Sequence, residues 1–224
     1  MWTFLRQNSL SLFFGGIFLA ALAGQGLAGH ADYNAQQISD GLATVSLGRY
    51  LTSSSFAADV AENWQSEYLQ FLLYILATVW LLQRGSPESK ELDRAGLESD
   101  QDQKIGSFAD AHSPSGARHG GLVTTLYSNS LGLVMGAVFV ASWGMQSLAG
   151  QVAFNEEQLA QLQDPVSWTG YVTSPDFWNR TLQNWQSEFL AVGSMAVLSI
   201  YLRQRGSPES KPVGSAHTTT GAEG

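Results

Sequence analysis

One pattern occurs twice in this chain at a fixed distance. Asn63-Trp64-Gln65-Ser66-Glu67, an apolar run and Gln83-Arg84-Gly85-Ser86-Pro87-Glu88-Ser89-Lys90 return 121 positions later. The second copy reads Asn184-Trp185-Gln186-Ser187-Glu188, an apolar run and Gln204-Arg205-Gly206-Ser207-Pro208-Glu209-Ser210-Lys211. The spacing holds upstream without a gap, from Asn8-Ser9-Leu10 and Asn129-Ser130-Leu131 through Leu27-Ala28-Gly29 and Leu148-Ala149-Gly150 to Tyr50 and Tyr171. Tandem duplication of a unit of about 86 residues explains this. The units span 5–90 and 126–211. Each should carry the same architecture, and any site is expected in pairs.

Composition narrows the classes. Cysteine is absent, which excludes disulfides and thiolate metal sites. A formal charge of −8 and a pI near 4.8 argue against nucleic acid as a partner. A mean hydropathy of −0.04 is that of a soluble protein. The average misleads, because the apolar residues are gathered in four runs.

Leu10 to Ala28 and its counterpart Leu131 to Ala149 each approach the ~20 residues a helix needs to cross the hydrocarbon. Tyr68 to Leu82 and Phe189 to Leu202 are shorter. Trp64 and Trp185 extend them at the level of an aromatic belt, and Arg84 and Arg205 can snorkel at the other end. The expected fold is all-α: a membrane protein of four transmembrane helices, arranged as two parallel two-helix repeats. The first run also fits a secretory signal peptide loosely. Its internal recurrence at Leu131 favours a retained helix.

Lys and Arg set the orientation. The loops after the first and third runs hold only Arg49 and Arg180, and the other nine basic residues lie in the N-terminus, central linker and tail. This places both termini in the cytoplasm and two hairpins outside, with the repeats related by a pseudo-two-fold axis along the membrane normal.

The linker 91–121 and the tail 212–224 are polar and poor in large apolar residues, so disorder is expected there. Gly85 and Gly206, each followed by a proline two residues on, read as helix stops. The Gly-Ser-Pro-Glu-Ser-Lys stretch, repeated verbatim at 85–90 and 206–211, also fits a docking motif. Ser174-Pro175-Asp176 is a helix start. Helices are therefore expected from about Ser53 and Ser174, running unbroken into the apolar runs for about 28 residues each.

Glu67 and Glu188 are the sharpest candidates for a site. An acid near membrane depth is a functional hypothesis by default. Asn63, Trp64 and Glu67 share a helix face, as do Asn184, Trp185 and Glu188. The two triplets are expected to meet across the axis as an ion or proton site; the alternative is headgroup-level residues bonding water. Asp59 and Arg180 occupy equivalent positions with opposite charge and form a candidate inter-repeat pair, or else two unrelated surface charges. Gly16, Ala20 and Gly24, and Gly132 and Gly136, allow close helix packing. His30, His112, His119 and His217 form no ligand set. No catalytic residues, metal site or cofactor are expected, and no phosphate loop or nucleophile motif is present.

The paired motifs Asn-Ser-Leu, Gln-x-Leu-Ala-Gly, Asn-Trp-Gln-Ser-Glu and Gln-Arg-Gly-Ser-Pro-Glu-Ser-Lys resemble a family of small bacterial inner-membrane proteins catalogued as a domain of unknown function. The resemblance implies a bacterial multi-pass protein and no activity. The expected function is that of a non-enzymatic membrane scaffold or partner-binding protein in the bacterial inner membrane. Its partners are then the lipid bilayer and either a second copy or another membrane protein. The alternative is a small transporter or channel using Glu67 and Glu188.

Overall fold

A computed structural model describes residues 2–221 and is all-helical, with no strand among them. Positions 222–224 of the tail lie outside the described residues. In chain order the helices are α1 (Trp2–Gln7), α2 (Ser9–Ser39), α3 (Leu47–Leu51), α4 (Ser54–Trp80), α5 (Ser115–Arg118), α6 (Gly121–Ser128), α7 (Ser130–Ala160), α8 (Trp168–Val172) and α9 (Pro175–Tyr201). A single 3₁₀ turn, Gly106–Phe108, precedes α5. The bounds of α7, α8 and α9 are those of α2, α3 and α4 moved by 121 positions.

Local chemistry repeats with the same offset. Asn8 and Asn129 interrupt the chain before the long helices. The Asn8 amide donates to the Phe4 carbonyl at 2.9 Å and the Asn129 amide to the Thr125 carbonyl at 2.8 Å. Ser46 and Ser167 cap α3 and α8 by accepting from Arg49 N and Gly170 N. The hydroxyls of Ser53 and Ser174 accept from Phe56 N and Phe177 N, both at 3.2 Å, at the expected starts of α4 and α9.

Two boundaries differ from expectation. α2 and α7 continue well past Ala28 and Ala149, so His30 lies inside α2 and not at its end. Nothing between Gly29 and Ser39 breaks a helix, and polar residues there are competent formers. α4 and α9 stop at Trp80 and Tyr201, ahead of the glycines. Gly85 and Gly206 are left-handed, at φ 87° and 84°, but they shape the loop that follows the helix.

The described chain forms two compact units. The first comprises the chain up to Ala61 together with Gly144–Phe177; the second comprises Glu62–Trp143 and the chain from Trp178 on. In the first unit, each long helix is clasped to the segment that follows it. Asn34 donates to the Val45 carbonyl at 3.0 Å and accepts from Val45 N at 2.8 Å. Asn155 does the same with Val166 at the same two distances. His30 and its counterpart Gln151 add a second contact to those carbonyls, at 2.8 and 3.0 Å. An amide and an imidazole therefore exchange without loss of the bond. Tyr50 and Tyr171 are buried against Gly29 and Gly150, where a Cβ would lie 2.2 and 2.4 Å from the tyrosine oxygens.

In the second unit, α4 buries Gln65, Ser66 and Leu69. Leu72 and Leu76 of α4 lie against Gly136 and Gly132 of α7, so those small residues do seat a neighbouring helix. Phe139, Trp143, Trp178 and Trp185 form an aromatic cluster with centroids 5.6 to 6.1 Å apart.

The octapeptide copies also fold alike. Gln83 N and Gln204 N each donate to the hydroxyl of Ser89 or Ser210 at 2.9 Å. Ser86 N and Ser207 N each return to the Gln83 or Gln204 carbonyl at 3.1 Å. The lysines then fasten the chain that follows. Lys90 Nζ donates to the Gly96 carbonyl at 3.0 Å and pairs with Glu98 at 3.0 Å. Lys211 Nζ, buried, donates to the carbonyls of Gly85, Ala216, His217 and Thr219 at 2.6 to 3.2 Å. The start of the linker and the tail as far as Gly221, where composition predicts disorder, thus carry hydrogen-bonded turns.

Candidate functional site

Of the predicted triplets, Asn184 and Trp185 reach α4, but at Glu62 and Gln65. The Glu62 carboxylate takes the Arg180 guanidinium on Oε2 at 3.2 Å and the Asn184 amide on Oε1 at 3.3 Å. Asn184 also donates to the Arg180 carbonyl one turn back, at 3.0 Å. One turn along α4, Gln65 Oε1 accepts the Trp185 indole N–H at 2.8 Å.

Asn63, Trp64 and Glu67 are exposed, whereas Asn184, Trp185 and Glu188 are half-buried. The two triplets are therefore unequally placed despite their identical sequence. Helical geometry gives the reason. Residues advance about 100° each, so Gln65, Leu69 and Ala61 share a face that Glu67 does not. Once Ala61, Gln65 and Leu69 are buried, Glu67 is turned outward. Glu67 and Glu188 are still near enough for the charge of Glu67 to act on Glu188.

Arg180 binds Glu62, and the charge of the half-buried Asp59 acts on the Tyr50 hydroxyl. Burial and that charge push the Tyr50 hydroxyl above its ordinary pKa.

Sequence reasoning missed Glu62 and Gln65. A signal was present: Ala58, Ala61, Gln65 and Leu69 recur at helical spacing, with two small residues that permit close approach. Gln65 is fully buried, and its amide nitrogen makes no hydrogen bond. The Gln70 side-chain oxygen is likewise buried and unbonded. These two polar atoms lie on α4 on either side of Glu67 in the chain.

Among the described residues, no group of His, Asp and Glu is arranged to hold a metal ion. Among the described residues, α2 and α7, each of 31 residues, are the two helices long and apolar enough to cross a membrane by length and composition. Their apolar side chains point outward: Phe13 is 62% exposed and Leu131 is 57% exposed.

Residues 1–222 match the family described as a domain of unknown function, DUF6766. No curated protein and no solved structure matches the chain.

Proposed function

For a chain that belongs to the DUF6766 family, we propose an integral membrane protein that acts as a non-enzymatic scaffold and binds a partner in or beside the bilayer. Four helices span: α2, α4, α7 and α9. They form two hairpin repeats inserted in parallel, in a bacterial inner membrane with both termini in the cytoplasm. The apolar length of α2 and α7 supports spanning by those two helices. α4 and α9, at 27 residues each, reach about 40 Å. The shared 121-residue offset of the helices supports the two-repeat reading, and the one-sided distribution of Lys and Arg supports the orientation.

One observation carries the scaffold reading. The polar groups at the depth of the candidate acids are used to bond α4 to α9, through Glu62 with Arg180 and Asn184 and through Gln65 with Trp185. Groups so engaged hold helices together. A transport path needs groups free to exchange partners.

The native chain has no cysteine, so single cysteines map the topology cleanly. Cysteines at Leu42 and Gln163 should react with an impermeant maleimide added outside intact cells. Cysteines at Arg94 and Val213 should react only after lysis. Equal labelling of all four would end the hairpin reading.

The action of Glu67 on Glu188 favours a second reading, a small channel or transporter. Proteoliposome flux separates the two. Cation or proton flux that disappears in the Glu67→Gln, Glu188→Gln double variant would displace the scaffold reading.

A further inference from the structure

The two octapeptide loops are identical in sequence and share the Gln–Ser bonds described above, yet only the first is covered. Gly85, Ser86 and Pro87 are buried, whereas Gly206 and Pro208 are exposed. The cover is the chain's own tail. Gly85 N donates to the Thr220 hydroxyl at 2.9 Å, and Gly221 N donates to the Ser86 carbonyl at 3.1 Å. The fit is close: a Cβ on Gly85 would lie 2.4 Å from the His217 carbonyl oxygen, while one on Gly206 would meet nothing within 4 Å. Over the second loop there is instead an open concavity of about 440 Å³, lined from Gln204 to Val213.

The segment equivalent to the tail, 121 positions earlier, is Gly96–Asp100, with Ser99 in the place of Thr220. It does not serve the second loop. Lys90 holds Gly96 and Glu98, and the Ser99 hydroxyl bonds Asp102 at 2.6 Å. One chain thus offers two equivalent loops and seats one segment on them.

We propose that the second loop, Gln204–Lys211, is a docking site for an extended segment of a partner protein. That segment presents a Thr or Ser hydroxyl to Gly206 N and, one residue later, a backbone N–H to the Ser207 carbonyl. Ser207 O already accepts from Ser210 N at 3.2 Å, and a carbonyl's second lone pair serves the newcomer. The tail on the first loop is the observed example of such a ligand. This mode uses backbone groups for affinity and one side chain for selection.

The inference deepens the scaffold reading by naming its partner surface, and it rests on that reading for the existence of a partner. The tests are separable, since peptide binding does not report topology and cysteine labelling does not report docking.

The probe is a fluorescent peptide with the sequence of Gly214–Gly221, titrated onto the intact full chain in detergent and followed by anisotropy. Saturable binding of one equivalent is expected. Gly206→Asn should weaken it at least about tenfold, because asparagine tolerates positive φ but fills the space the ligand carbonyl needs. Val213→Trp should weaken it similarly, from an exposed position on the rim of the concavity. A peptide carrying valine for Thr220 should also bind at least about tenfold more weakly. Three results would overturn the proposal: no saturable binding, binding that both variants leave unchanged, or binding that appears only once Gly85→Asn displaces the native tail. A concentration-dependent dimer abolished by Gly206→Asn would assign the site to a second copy's tail and overturn the partner assignment.

Discussion

The Trp185 indole N–H donates to the side-chain oxygen of Gln65 at 2.8 Å, joining α9 to α4 at a fully buried amide. A buried acceptor that loses its donor bears the full cost of desolvation. Trp185→Phe should therefore destabilise the protein by about 1–3 kcal/mol, measured by thermal unfolding in a fixed detergent. Gln65→Leu in the Trp185→Phe background should recover part of that loss, since neither polar partner then remains. Additive single effects in the double-mutant cycle would show that the contact contributes nothing.

Gly29 and Gly150 admit the tyrosine oxygens of Tyr50 and Tyr171 to within the space of a methyl group. Gly29→Ala or Gly150→Ala should cost about 1–3 kcal/mol by overpacking. The matching Tyr50→Phe or Tyr171→Phe change removes the clashing oxygen and should return part of the stability. Thermal melts of the four single and two paired variants decide the matter, and an unrescued alanine would locate the strain elsewhere.

Leu162 stands 121 positions after Gly41, and both are left-handed, at φ 58° and 73°. Each follows a long helix in the same closing pattern: Leu42 N and Gln163 N reach back to the Gln37 and Gln158 carbonyls at 2.8 Å. A leucine is strained there and is 96% exposed. Leu162→Gly should stabilise the chain by up to about 1 kcal/mol, the relief of strain exceeding the entropy that glycine adds to the unfolded chain. Gly41→Leu should do the reverse, and a fall in melting temperature for Leu162→Gly would contradict the assignment.

Glu98 lies outside the long helices, and its carboxyl is held below the ordinary value of 4.5, first by the hydrogen bond from Lys90, then by that from Gln103 and the Lys90 charge. A depressed carboxylate contributes stability that is present above 4.5 and lost as pH falls through the folded value. The protection of 91–100 against hydrogen exchange, taken relative to the intrinsic rate at each pH, should therefore fall in acid below 4.5, and Glu98→Gln should flatten that dependence. An unchanged profile in Glu98→Gln would remove Glu98 as the cause. The effect is local, because the pair is exposed.

Local signals in the sequence predicted the helix starts better than the contacts between helices. Ser-Pro-Asp at Ser174 gives the start of α9, and the offset transfers it to Ser53, because capping is decided within one turn of chain. The shared faces of Asn63 with Glu67 and of Asn184 with Glu188 also follow from helical geometry. The side of α4 that meets α9 does not, since packing over many residues decides it. Ala61, Gln65 and Leu69 win the buried side, and Glu62 and Gln65 then make polar contacts with α9. Asn34 and Asn155 also stand 121 positions apart, but their use depends on a backbone group 11 residues away. Composition also understated the linker and the tail, where two lysines collect carbonyls that no propensity scale counts.

The clasp of Asn34 on Val45 fixes where α3 begins whatever the intervening turn contains. Gly41, at the tip, is exposed with open space around it. An epitope tag or a small fluorescent module spliced in at that tip should leave the anchored ends of the hairpin where they are.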